Sequence, residues 1–209
     1  MSQSKQFKNE KIADPLIPLI LASTSVFRQK LLKDAGISFQ VIAPQNDEKS
    51  ISGLPPKVLA AKRAEFKALD VARMAPTASL VLGADQVLSF RGQAFDKPSS
   101  RDEAIAKLKL LQGQTHFLHT AVCILKLAPG KSLETAYQSV LDIPMTMRAL
   151  SDLEIETYIA TGEWQGCVGA YRIEGEGRNL FLNIASDLAS IIGLPINELK
   201  NVLSQIDKS

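Results

Sequence analysis

Apolar residues along this chain fall into short runs that switch between strand and helix spacing, with polar or glycine-bearing breaks between them. Leu16–Ala22 is an unbroken apolar run of strand length. It ends on Ser23, Thr24 and Ser25, residue types that cap the free N–H groups of a helix start. The next segment carries Leu31 and Leu32 for a core and reaches Gly36 where a C-terminal cap belongs. Ile37–Ala43 alternates as a second strand, so the opening predicts a β-α-β unit followed by a polar loop. Pro55-Pro56 opens a helix to about Ala75, and Ser79–Gly83 reads as a fully buried strand with Ala84, Asp85 and Gln86 directly after it. Val87–Asp96 predicts a hairpin turning at Arg91-Gly92-Gln93. Ser99 and Ser100 cap a helix with Ala104, Leu108 and Leu111 on one face. Thr115–Leu127 and Ser132–Arg148 pair as long strands around Pro129-Gly130. Ser151 starts another helix, Gly162–Gly177 is glycine-rich, and Asn197–Ile206 is amphipathic through Leu199, Val202, Leu203 and Ile206.

Composition narrows the class. A 45% hydrophobic and 22% charged share over 209 residues is that of an ordinary globular protein. Net charge is only +2, with both signs interleaved, which argues against a nucleic-acid partner and for a small anionic ligand gripped locally. Cys123 and Cys167 form neither a disulfide framework nor a CxxC metal site, and Met1–Asn9 is polar without an apolar signal core. No apolar run approaches the ~20 residues that span a bilayer. A cytoplasmic protein with no membrane partner is expected, with residues 1–15 a flexible segment and 16–209 a single domain.

Cleaving a phosphoanhydride needs positive charge on the phosphates, carboxylates for Mg²⁺ or Mn²⁺, and a base or metal to activate water. Ser23, Ser25 and Arg28 lie at a strand-to-helix turn, where free N–H groups and the helix dipole attract anions. Taken singly, Asp47-Glu48, Lys67, Asp85 and Lys97 read as loop charge, helix surface and turn formers. His116 and His119 lack a third ligand and read as polar core or surface residues, and Gly175-x-Gly177 lacks the strand-helix context of a dinucleotide fingerprint.

Their order along the chain supplies the joint meaning. LASTSVFRQKLL (Leu21–Leu32) followed by Asp47-Glu48 resembles the opening signature of the Maf family of nucleotide pyrophosphatases. Lys67-Ala68, Gly83-Ala84-Asp85-Gln86, Asp96-Lys97-Pro98, Leu111–Val122, Gly169–Gly177 and Gly193-Leu194-Pro195 follow in the family's order. The resemblance implies an α/β, two-lobed, inosine-triphosphatase-like fold: a mixed, strongly curved sheet flanked by helices around a central cleft. It implies Ser23, Arg28, Lys67 and Lys97 on phosphates, Asp85 as catalytic acid–base residue, Glu48 and Asp85 on a divalent metal, and a homodimer. The reaction would release pyrophosphate from the nucleoside monophosphate.

Phe27, Gln86 and Glu174 depart together from the common family pattern and resemble the subfamily that prefers 7-methyl-GTP over dTTP and UTP. A carboxylate can accept both the N1 and N2 donors of guanine, and an aromatic face favours a cationic ring. Phe27 as a core contact and Glu174 as a surface carboxylate beside Arg172 stand as the alternative. Val26 and Gln29 also depart from the family, and Ile184–Ser190 lacks its usual glycine. Other substrates, namely dTTP, UTP or another modified nucleotide, and a non-catalytic nucleotide-binding regulator of septum formation are the competing expectations.

Overall fold

The computed structural model describes residues 17–130, 132–184 and 187–206. The segment expected to be flexible, 1–15, lies outside them, as do residues 185–186 of the loop that lacks the glycine. Along the chain run β1 (Leu19–Leu21), α1 (Val26–Asp34), β2 (Gln40–Val41), α2 (Pro56–Ala72), β3 (Ser79–Phe90) and β4 (Gln93–Phe95). They are followed by α3 (Arg101–Leu111), β5 (Thr115–Leu127), β6 (Leu133–Thr146), α4 (Asp152–Ala160), α5 (Leu188–Ile192) and α6 (Ile196–Ile206). The strands form one mixed sheet in the order β2-β1-β3-β5-β6, with β4 also on β3. Among the described residues no helix is long and apolar enough to cross a membrane.

Side-chain alternation along β3 divides the core. Val81 and Val87 face α2, where Ala60, Ala64, Ala68 and Val71 make a small-residue surface that lets helix and sheet approach closely. Leu80, Leu82 and Ala84 point the other way, onto Leu32 of α1 and Leu199 and Leu203 of α6. Farther along that opposite face, Leu88 and Phe90 pack with Leu108 of α3 and Ile155 and Ile159 of α4. Helix starts follow side-chain capping: Ser25, Ser100 and Ser151 each accept from a backbone N–H of the first turn, and Ser151 with Glu154 completes a capping box.

The sequence expectations differ from the structure in three places. The strand expected to stop at Gly83 continues to Phe90, because β5 pairs with it without interruption from Ser79–Leu127 to Ser89–Phe117. Asp85 and Gln86 therefore sit inside a central strand rather than beyond its end. The strand read at Ile37–Ala43 shrinks to two residues at the sheet edge. Strong curvature is the third correction. Bulges and register breaks bend sheets, yet the β3–β5 pairing has none, and the β5–β6 pairing shifts only between Ile124 and Leu125.

Two stability measurements test this account. A Cβ on Gly83 would lie 2.1 Å from the Ala64 carbonyl oxygen and 2.9 Å from the Ala68 Cβ, both on α2. Gly83→Ala should cost about 1–3 kcal/mol by overpacking, read as a lower denaturation midpoint; an unchanged midpoint would refute the close approach. His116 is fully buried, its Nε2 2.8 Å from the Tyr171 hydroxyl, and burial pulls its imidazole down to about 4. The unfolded chain takes up a proton near pH ~6.5 that the folded chain refuses. Stability should thus be intact above that pH and drain away as pH falls toward 4, by on the order of 3 kcal/mol. His116→Gln should flatten this dependence, and equal slopes in both proteins would contradict it.

Candidate active site

The site sits where β3 has a neighbour on one edge only. β1 pairs in parallel with Leu80–Leu82 and β4 pairs antiparallel with Leu88–Phe90, both on the edge opposite β5. Between them, no described strand pairs with Gly83–Val87 on that edge. The strand directions aim the C-terminal ends of β1 and β4 at this gap from opposite sides. β1 delivers Ser23, Ser25 and the first turn of α1, while β4 delivers Asp96 and Lys97. A pocket of about 250 Å³ opens there, lined by side chains from α1, the Glu48 turn, α2, β3, the β4 exit and the segment 166–174.

Lys67 organises the charged end. Its ammonium donates to Asp85 Oδ1 at 2.6 Å and lies 3.0 Å from Glu48 Oε1, so two carboxylates distant in sequence share one cation. Lys67 and Asp85 are both buried. Their contact follows from the Gly83–α2 approach, since Lys67 precedes Ala68 on the helix and Asp85 lies two residues beyond Gly83 on the same face of β3. Asp85 Oδ2 is buried without a hydrogen-bond partner. For Glu48, desolvation pushes the carboxyl up, but the Lys67 charge and hydrogen bond outweigh it and the net direction is down.

Arg28 and Lys97 bring further positive charge to the same pocket. Arg28 Nε donates to the Gly193 carbonyl at 3.3 Å and Nη1 to Ser23 Oγ at 3.3 Å. Burial lowers its pKa, opposed by the charges of Asp85 and Glu48, and a guanidinium remains charged in any case. Lys97 is exposed as a residue, yet it lines the pocket, and desolvation and then the neighbouring cations Arg28 and Lys67 lower its pKa. Burial, and for Lys97 the neighbouring cations, thus disfavour the charged forms of Arg28 and Lys97, an imbalance that a bound anion would relieve.

Phe27, Gln86 and Glu174 line the same pocket, together with Arg172. The Arg172 guanidinium stacks on the Phe27 ring at 5.1 Å, and its Nε is 4.0 Å from Glu174 Oε1. Gln86 Nε2 donates to Thr120 Oγ1 at 2.8 Å and the Ile191 carbonyl at 2.9 Å, tying α5 to the sheet.

Nine of the ten residues singled out from the sequence thus line one pocket: Ser25, Phe27, Arg28, Glu48, Lys67, Asp85, Gln86, Lys97 and Glu174. Ser23 is the exception. It is buried beneath the rim, and its Oγ accepts from Arg28 Nη1 and from the Ser25 N–H, so its contact is with Arg28 rather than with the pocket. The departures at Val26 and Gln29 fall outside the pocket lining, Val26 being the exposed first residue of α1.

Sequence reasoning missed three supports. Asp70, one turn after Lys67, is buried and accepts from the Gln45 N–H at 2.6 Å, the Asn46 N–H at 3.1 Å and the Asn46 amide, pinning the loop just before Glu48. Burial pushes its carboxyl up, but these hydrogen bonds prevail and its pKa is lowered. Lys107, buried on α3, donates to the Asp96 carbonyl and to the Val168 carbonyl at 3.0 Å, joining two walls of the pocket. Arg63 lines the pocket four residues before Lys67, and that helical spacing on one face was a signal available in the sequence.

The donor set suits a partly hydrated hard cation. Among the described residues no group of three His, Cys, Asp or Glu side chains gathers. Mg²⁺ usually takes one or two carboxylates, substrate phosphates and waters rather than an all-protein cage. Glu48 and Asp85, the latter with a buried unpaired oxygen, fit that habit. One rival cluster is excluded on geometry. Ser89 Oγ, His119 and Asp142 line up through contacts of 2.8 Å each. Ser89 is buried in a strand paired on both sides, and none of the three lines the pocket that holds Lys67 and Asp85.

These features define a small α/β protein with a pocket in which two carboxylates share one cation and further cations line the walls. The chain belongs to the Maf-like protein family, whose model matches residues 18–206. A nucleoside triphosphate pyrophosphatase of Rhodopseudomonas palustris is 42% identical over 194 residues, covering 90% of this chain and 93% of that protein. Proteins named 7-methyl-GTP pyrophosphatase are also similar. That of Rhizobium meliloti is 38% identical, covering 90% of this chain and 96% of its own, and that of Bartonella quintana is 40% identical, covering 85% and 90%.

The Asp70 clamp has a direct readout. Asp70→Asn places an NH₂ among the loop's donors, so amide hydrogen exchange at residues 45–50 should quicken while that of β3 and β5 stays as it is. Unchanged exchange in the loop would show that Asp70 does not hold it.

Proposed function

We propose that the chain is a nucleoside triphosphate pyrophosphatase that hydrolyses the α–β phosphoanhydride bond with a divalent cation, and that its preferred substrate is 7-methyl-GTP. The observation that carries the reaction is the Lys67 ammonium between Glu48 and Asp85 in a pocket also lined by Arg28 and Lys97. The first turn of α1 adds a helix N-terminus, whose dipole favours phosphate.

In this reading Arg28, Lys67 and Lys97 grip the triphosphate, Arg28 and Lys67 as charges already braced by the fold. A divalent ion held by Glu48 and Asp85 would neutralise phosphate charge and make bound water more acidic. Asp85 Oδ2, buried and unpaired, is the oxygen available to take a proton from the attacking water. Water oxygen bonds to the α-phosphorus, the α–β bridging oxygen departs with pyrophosphate, and the nucleoside monophosphate remains. The preset cations meet the charge that develops on the leaving group, and preorganisation of this kind is a large contributor to catalysis.

For the base, the relatives named 7-methyl-GTP pyrophosphatase support the assignment, as does the pocket corner of Phe27 and Glu174. That corner already holds a cation, the Arg172 guanidinium. N7-methylation makes guanine a cation, and Glu174 suits its N1 and N2 donors.

A nucleotide panel with Mg²⁺ or Mn²⁺, reading pyrophosphate release, is the test. 7-methyl-GTP should have the highest kcat/KM against GTP, dTTP and UTP, and Glu174→Gln should narrow its lead. Asp85→Asn should lose roughly 100-fold or more in kcat while remaining folded. A dTTP or UTP preference would remove the base assignment and leave the reaction; near-normal turnover in Asp85→Asn would remove Asp85 from the chemistry. Nucleotide binding without pyrophosphate release would favour the regulator reading instead.

A further inference from the structure

Arg172 already engages Phe27 and Glu174, the two side chains that the base assignment gives to a cationic ring. Its guanidinium lies over the Phe27 ring, 5.1 Å from the centroid, and its Nε approaches Glu174 Oε1 at 4.0 Å. That Nε is buried and has no hydrogen-bond partner, although the Arg172 side chain also meets the Cys167 thiol. Its backbone, by contrast, is fixed. The Arg172 N–H donates to the Tyr158 hydroxyl at 2.9 Å, and its carbonyl accepts from the Gly175 N–H at 3.3 Å. A Cβ on Gly177 would come within 2.4 Å of the Arg172 carbonyl oxygen, so only glycine permits this packing. A rigid backbone therefore carries a side chain whose head rests on one aromatic face beside one carboxylate.

We propose that Arg172 is a specificity-determining residue: it acts as a built-in cation that competes with a positively charged purine for Phe27 and Glu174. This rests on the base assignment made above. Two cations cannot share one ring face and one carboxylate without like-charge repulsion. A 7-methylated guanine must push the guanidinium aside, whereas neutral guanine meets no such charge conflict. Arg172 thus tempers the preference for a methylated base and leaves the phosphate end untouched. Arg172 is the cation that stacks on Phe27 and pairs with Glu174, whereas Lys67 pairs with Glu48 and Asp85, so the effect is read in the ratio between two bases that carry the same triphosphate.

The measurement is the ratio of kcat/KM for 7-methyl-GTP to that for GTP in wild type, Arg172→Met and Arg172→Lys. Methionine keeps the bulk and removes the charge, and the ratio should rise roughly 2- to 30-fold, about 0.5–2 kcal/mol at 1.4 kcal/mol per decade. Lysine should restore a ratio near that of wild type. A generally disturbed fold would lower both substrates alike and leave the ratio unmoved. An unchanged or reduced ratio in Arg172→Met overturns the proposal. The base assignment fails separately, through a wild-type preference for dTTP or UTP, and the Arg172→Met ratio can still rise in that case. Should no nucleotide be hydrolysed, dissociation constants for 7-methyl-GTP and GTP, taken by calorimetry without metal, give the equivalent ratio, and a rise or its absence in Arg172→Met decides between the same two outcomes.

Discussion

A central strand that pairs along its length on one side and, among the described residues, lacks a strand partner in the middle of the other is the constraint on which this protein depends. β3 is held by β5 from Ser79 to Ser89, so the gap at Gly83–Val87 cannot close by sliding the strand without breaking that register. Because β1 runs with β3 and β4 runs against it, both neighbours end at the gap. The chain leaving each carries polar residues to the same place. Gly83 then sets the depth, bringing α2 near enough for Lys67 to reach Asp85.

Around that frame the charges are fixed before any ligand arrives. Lys67 is shared by Glu48 and Asp85, Arg28 is braced by Ser23 and Gly193, and Lys107 clasps the walls bearing Asp96 and Val168. Asp70 fixes the loop that leads to Glu48. The cost of ordering these groups is met during folding, and a polyphosphate entering such a pocket meets side chains that need little rearrangement. Phe27 and Glu174 are held differently, engaged by the Arg172 side chain.

Element existence was legible where pattern and capping agreed. The serine-capped helices begin at Ser25, Ser100 and Ser151, and the paired strands fall close to Thr115–Leu127 and Ser132–Arg148 as read from alternation. The end of β3 was not legible, because Asp85 and Gln86 look like strand terminators when local polarity is the only guide. Their burial in mid-strand is imposed by β5 and by Lys67, which are distant in the chain. Lys107 and Asp70 escaped for a related reason: a buried charge looks like helix surface until the carbonyls and N–H groups that satisfy it are in view. Ser23 was legible as part of the strand-to-helix turn, while its hydrogen bond from Arg28 was not, since a hydroxyl at a strand end serves a neighbouring side chain as readily as a ligand.

The gap in β3 has a consequence beyond ligand binding. An exposed strand edge is a template on which another extended chain can zip up, and natural proteins guard against it. Here the vulnerable stretch is sunk within a cavity whose walls bear Arg28, Arg63, Lys67 and Lys97. An intruding apolar strand would have to strip water from all of these, so the charges gathered around the pocket also guard this stretch against an added strand.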